Sequence, residues 1–144
     1  MVKGFCLAAA IFAMAVPAFA DDVCGPVPIG PAIPSAGDEA VKPVATARAD
    51  IVAAYRQVLA FQAALKSYRV CLRQQDATDN AALAQAKDKK DDVKISDLTG
   101  ALSDRRKTYD SSVDAESEVA KDFNTLHIAH CTRDSDPGVC PPKQ

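Results

Sequence analysis

His127, His130 and Cys131 come closest, by type and spacing, to forming a chemical site in this sequence. Offsets of three and four residues bring all three within reach of one point on a helix face, and imidazole with thiolate is a ligand set for zinc or copper. A closed structural zinc site takes four ligands, however, and Cys131 has a natural partner in Cys140, nine residues on across a Pro-Gly turn. Oxidising that pair leaves two histidines, polar residues that suit the negative end of a helix dipole. The expectation is therefore no resident metal and no cofactor, with His127, His130 and Cys131 kept as the one candidate ligand group.

Other chemistries find less support. Asp134 and Asp136 resemble part of a calcium loop, but the closing glutamate and the alternation of ligands are missing, so the segment reads as a turn. The chain has no serine in a strand-turn-helix elbow, no glycine-rich phosphate loop after a strand and no cysteine pair at redox-motif spacing. No catalytic residue is assigned, and the protein is expected not to be an enzyme. Tyr55-Arg56 and Tyr68-Arg69 repeat a pair of residue types that anchor interfaces, although heptad spacing favours a packing role for the tyrosines.

The elements that would carry these residues are helical. From Val44 to Leu72 an apolar residue returns every seventh position, at Val44, Ile51, Val58, Leu65 and Leu72, with Ala47, Ala54, Phe61 and Tyr68 three residues after each of the first four. That is the seam of a helix packed lengthwise on another helix. Pro43 suits a helix start, and Ser35 to Asp38 supply turn and capping residues before it. Asp76 to Asn80 reads as a kink or turn, and the main reversal is placed between about 87 and 96, with Ser96 capping a second helix over about 97–131. In that second helix the apolar residues Leu98, Leu102, Tyr109, Val113, Val119, Ala120, Phe123, Leu126 and Ala129 are interrupted by Arg105, Ser112 and Glu116, so the stripe reads as drifting.

Ahead of the helices, Cys24 to Ser35 carries prolines at 26, 28, 31 and 34 and should be extended, with Pro28, Pro31 and Pro34 on one edge at polyproline-II spacing. Val27, Ile29 and Ile33 are expected to pack. The domain reading is a signal peptide over 1–20, a proline-rich strap over 21–37, a helical hairpin over 38–131 and a C-terminal turn and tail over 132–144.

Residues 1–20 have the pattern of an export signal: Lys3, an apolar run from Phe5 to Val16, and Ala18-Phe19-Ala20 as a cleavage site. The run is too short to span a bilayer, so no transmembrane segment is expected once the signal is cleaved. Cleavage removes Cys6 and Lys3, leaving four cysteines and a formal charge of −3. That balance excludes a basic nucleic-acid footprint, and an even cysteine count in an exported chain favours disulfides. With no Trp and 6% aromatic residues the core must be thin, which suits a stapled hairpin.

Length chooses among pairings. A polyproline-like strap from Cys24 to Gly37 spans about 40 Å and the helix from Pro43 to Cys71 about 42 Å, so a strap folded back along the helix brings Cys24 beside Cys71. Cys131 and Cys140 close locally. Cys24 with Cys131 remains the competing pair.

Cys24-Gly25 with the prolines after it, Tyr68-Arg69-Val70-Cys71-Leu72, and Tyr109-Asp110 through Val119 to Asn124 together resemble a family of small, largely uncharacterised exported helical proteins of Gram-negative bacteria. The matching pieces cover about half of the chain after the signal. The resemblance implies the architecture and carries over no active site, and Cys131 and Cys140 are additions to the pattern. The sequence thus leads to a mainly α, disulfide-stapled antiparallel hairpin with an extended N-terminal strap. Such a protein is expected to be periplasmic or secreted, to act without catalysis, and to bind a protein partner in the cell envelope. A periplasmic metal-binding protein using His127, His130 and Cys131 is the alternative, and pairing of hairpins into a homo-oligomer a third reading.

Overall fold

A computed structural model describes residues 23–141; the expected signal peptide, including Cys6, and the last three residues of the tail lie outside the described residues. Three helices follow the strap: α1 (Ala36–Ala40), α2 (Val44–Lys89) and α3 (Asp92–Asp134). Helices α2 and α3 pack against each other along an antiparallel hairpin, and α1 packs on α3. At 1.5 Å per residue the 46 residues of α2 run about 69 Å. No described helix is long and apolar enough to cross a membrane.

The heptad seam of α2 is its buried face. Ala47, Ile51, Ala54, Val58, Phe61, Leu65, Tyr68 and Leu72 are all buried, whereas Val44, in the first turn, is half-exposed. Ile51 and Ala54 meet Leu126 of α3, and Ile33, Phe123 and Val139 close around them. One end of the hairpin therefore gathers the strap, both long helices and the C-terminal turn.

Helix α2 runs through Asp76 to Asn80 without interruption. Thr78 Oγ1 donates to the Gln74 carbonyl and Asn80 Nδ2 to that of Asp76, so the polar side chains satisfy helical backbone rather than interrupt it. Asp76 and Asp79 are held from the other helix by Arg105 at 2.7 and 2.6 Å. The reversal falls at Lys90 and Asp91, inside the expected window, with Lys90 in the left-handed region and its N–H donating to the Ala86 and Lys87 carbonyls. Asp91, not Ser96, caps α3: its side chain accepts from the Lys94 N–H, and helix begins five residues earlier than the sequence suggested.

Nor does the stripe of α3 drift. Arg105, Ser112, Val119 and Leu126 follow one another at sevens and face α2, and the polar members are paired there. Arg69 of α2 donates from Nε to Ser112 Oγ (2.8 Å), from Nη2 to the Ser112 carbonyl (2.5 Å) and from Nη1 to Glu116 (2.6 Å), with its guanidinium 5.8 Å from the Tyr109 ring centre. Burial pulls the Arg105 guanidinium towards easier deprotonation, but the hydrogen bonds it donates to Asp79 and Asp76 outweigh it and hold the group charged. The polar residues are thus cross-links of the seam.

The strap runs antiparallel to α2. Cys24 is bonded to Cys71 and Ile33 packs on the cluster of Ile51, Ala54 and Leu126, so nine residues of strap cover about 26–30 Å of helix, close to polyproline-II rise. Pro28, Pro31 and Pro34 are half-buried, as their shared edge predicts, and Ile33 packs. Val27 and Ile29 point the other way, at 42% and 92% exposure, because turning the proline edge inward turns its neighbours out. At Gly30 the strap lies so close that an added Cβ would come within 2.8 Å of Val119 Cγ2 and 3.6 Å of Phe61 Cζ. Gly30→Ala should therefore cost about 1–2 kcal/mol in urea unfolding, most of it recovered by Val119→Ala in the same chain.

Ser35 caps α1, its Oγ accepting from the Asp38 N–H at 3.0 Å. Glu39 is buried and its Oε1 accepts from Lys42. Hydrogen bonds to Asp50 and to Glu39 hold the Lys42 ammonium above the ordinary lysine range. Arg133 of α3 donates to the Glu39 and Ala40 carbonyls, covering the open end of α1.

Candidate functional site

The candidate site lies where α3 ends. Ser135, in the left-handed region, stops the helix, and the chain then turns at Asp136, whose carbonyl accepts from the Val139 and Cys140 N–H groups and whose Oδ1 accepts from the Gly138 N–H. Asp136 is buried and pairs with Arg48 of α2 at 3.2 Å, so the turn is tied to the hairpin. This is the turn that Asp134 to Gly138 predicted, and both carboxylates are engaged by protein groups.

Folding back in this way brings Cys140 to Cys131, and the two are disulfide-bonded. The pairing chosen by length, Cys24 with Cys71 and Cys131 with Cys140, is the one in the structure, and the alternative of Cys24 with Cys131 is absent. Two disulfides suit a non-reducing compartment.

Of the three candidate ligands, the structure brings together two. His127, Cys131 and Cys140 place one donor atom each within 4.8 Å of one another, all half-buried. His127 Nε2 lies 2.8 Å from the Val139 carbonyl. A carbonyl only accepts, so Nε2 is the donor in this contact. The ring stacks on Phe123 at 6.0 Å between centres, and Phe123 meets Tyr55 at 5.8 Å. An open hollow of about 540 Å³ lies over the group, lined by His127, Ile128, Cys131, Thr132, Pro137 and Cys140 among others.

His130 is not part of this group. It is buried on the α1 side of the helix, with Nδ1 3.5 Å from Asp134 Oδ2 and Nε2 3.9 Å from Asp136 Oδ2, and neither nitrogen makes a hydrogen bond within the described residues. It shares a hollow of about 260 Å³ with Glu39, Leu126, Ala129 and Arg133. Three residues along a helix is a turn of about 300°, which suffices here to send the two rings to different neighbours.

Spacing along the helix alone did not show Cys140 replacing His130 beside His127. The signal was present in the expected 131–140 bond, which places Cys140 wherever Cys131 is. Of the two Tyr-Arg pairs, Tyr68 is in the seam and Arg69 is the interhelical cross-link described above, whereas Tyr55 remains 49% exposed. Leu59, one turn further along α2, is 46% exposed.

Comparison with protein-family models, with curated proteins and with solved structures finds no match to this chain.

Proposed function

We propose that this is an exported, non-enzymatic helical protein that works by binding a protein partner in the periplasm or outside the cell. The observation that supports this most directly is the strip of Tyr55 and Leu59 on α2, beside the buried seam and half in solvent. A two-helix packing that leaves a tyrosine and a leucine one turn apart on its shoulder offers the aromatic and aliphatic anchors on which interfaces depend. Export rests on the leader pattern of residues 1–20 and on two disulfides, which persist outside reducing compartments.

A photo-crosslinking residue at position 55 or 59, in protein expressed with its own leader, should give a discrete higher-mass adduct in the envelope or culture fraction, while one at exposed Lys94 gives none. An adduct of twice the chain's mass would identify the partner as a second copy. Equal labelling from positions 55, 59 and 94 would sink the assignment of this strip. Recovered protein should begin near Asp21, and retention of residues 1–20 in the cytoplasm would sink export.

A further inference from the structure

We propose that His127, Cys131 and Cys140 form a zinc site that opens when the 131–140 disulfide is reduced, which makes the C-terminal turn a redox-gated metal site. This goes beyond partner binding and does not depend on it.

The donor set is the first reason. Two thiolates and an imidazole are zinc ligands, and three protein ligands with an open fourth position, filled by water, are an established zinc arrangement. Zinc bonds of about 2.0–2.3 Å keep tetrahedral ligand atoms about 3.3–3.8 Å apart, so on reduction the two sulfurs, about 2 Å apart while bonded, need only separate by less than about 2 Å beside a histidine nitrogen already within 4.8 Å. The histidine is also prepared. Its Nε2 lies 2.8 Å from the Val139 carbonyl, which fixes the ring with the kind of outer hydrogen bond that metal-binding histidines usually make.

The second reason is that the turn is held without its disulfide. Arg48 pairs with Asp136, the Asp136 carbonyl accepts from Val139 and Cys140, and His127 holds Val139, so reduction leaves Cys140 beside Cys131. The open hollow over the group provides entry for the ion and room for the fourth ligand. Cys131 lies in the final turn of α3, where the helix dipole favours a cation.

The chemistry balances with a dithiol reductant. Its two thiols pass two electrons and two protons to the Cys131–Cys140 bond, giving two protein thiols and the oxidised reductant. Zn²⁺ then displaces the two thiol protons and binds both thiolates and the neutral imidazole. Oxidation of the thiols by a disulfide oxidant expels the ion and restores the bond.

The test uses the whole chain after its leader, titrated with Zn²⁺ against a chromophoric chelator, before and after mild dithiol reduction, with helicity followed by circular dichroism and thiols located by alkylation and peptide mapping. Reduced protein should take up one Zn²⁺, oxidised protein should bind at least tenfold more weakly, and zinc should protect Cys131 and Cys140 from alkylation but not Cys24 or Cys71. His127→Ala should weaken binding at least tenfold and His130→Ala should leave it unchanged. Cys131→Ser/Cys140→Ser, which retains the other disulfide, should bind no zinc after reduction. Equal binding by oxidised protein, loss on His130→Ala instead of His127→Ala, or binding by the double serine variant would each overturn the site. So would loss of helicity when only the 131–140 bond is reduced, because the site requires the turn to stay in place.

Discussion

Replacing Cys24 and Cys71 together by alanine should lower the unfolding free energy by about 4 kcal/mol. The bond joins residues 47 apart in sequence. Opening it frees a long loop in the unfolded chain, and the loss of that constraint scales with the logarithm of loop length. The 131–140 bond closes only nine residues and by the same reasoning contributes about 3 kcal/mol. The two differ more in what they hold. Cys24 fixes the start of a described strap that has no helix or strand hydrogen bonds of its own, and without it the cover over Phe61 and Val119 rests on three proline edges, Ile33 and the fit at Gly30. Urea denaturation should show the midpoint of the Cys24→Ala/Cys71→Ala variant lowered by about 2–3 M, with hydrogen exchange along the α2 seam from Val58 to Leu72 accelerated while α3 near Leu126 keeps more protection. A fall of less than about 1 kcal/mol would mean that the strap is held by its proline edge alone and that the bond adds little.

The strap and α2 were legible because their signals are local. A residue every seven positions, prolines every three and a cysteine at each end carry their own geometry, and eight of the nine expected seam residues are buried. Helix α3 was harder to read because its seam is written in two helices. Arg105 and Ser112 look like interruptions until their partners Asp76, Asp79 and Arg69 are opposite them, 26 to 43 residues away in sequence. The same applies to Asp76 to Asn80, where a run of turn-forming residues stays helical because two of its carboxylates are ligands of an arginine on the other helix. Propensity sees only the near neighbours of a residue. At the candidate site, Cys131 and His127 share a face by helical spacing alone, and the rotation of about 300° between His127 and His130 turns His130 towards α1 and Asp136, but Cys140 joins the group only through the turn. One half of that group follows from the helix period, and the other half is tertiary.

Arg69→Ala should cost about 3 kcal/mol, a larger effect than the exposure of most charged residues in this chain would suggest. The Arg69 side chain is 14% exposed, and all three of its donating nitrogens are used: Nε on the Ser112 hydroxyl, Nη2 on the Ser112 carbonyl and Nη1 on Glu116. Ser112 is fully buried. Truncation therefore leaves a buried hydroxyl with only its bond to the Tyr109 carbonyl, a half-buried carboxylate without its cation, and a gap beside the Tyr109 ring. Each hydrogen bond to a charged group is worth about 1.5–3 kcal/mol when its partner is left behind, and the terms overlap because they share one side chain. Arg69→Lys should recover less than half of the loss, since an ammonium is a point charge and cannot reach hydroxyl, carbonyl and carboxylate in one plane. Arg69→Met with Ser112→Ala and Glu116→Leu should restore most of the stability, because apolar packing replaces the ion pair without stranding a partner. The two results separate what the pair contributes to stability from what it does to local opening. If the apolar triple variant is as stable as the parent but exchanges its α2 and α3 amides faster, the arginine restrains local opening of the two helices rather than adding net stability. If Arg69→Ala costs less than about 1 kcal/mol, the cross-link is open to solvent and the seam is held by Leu65, Tyr68 and Leu72 alone.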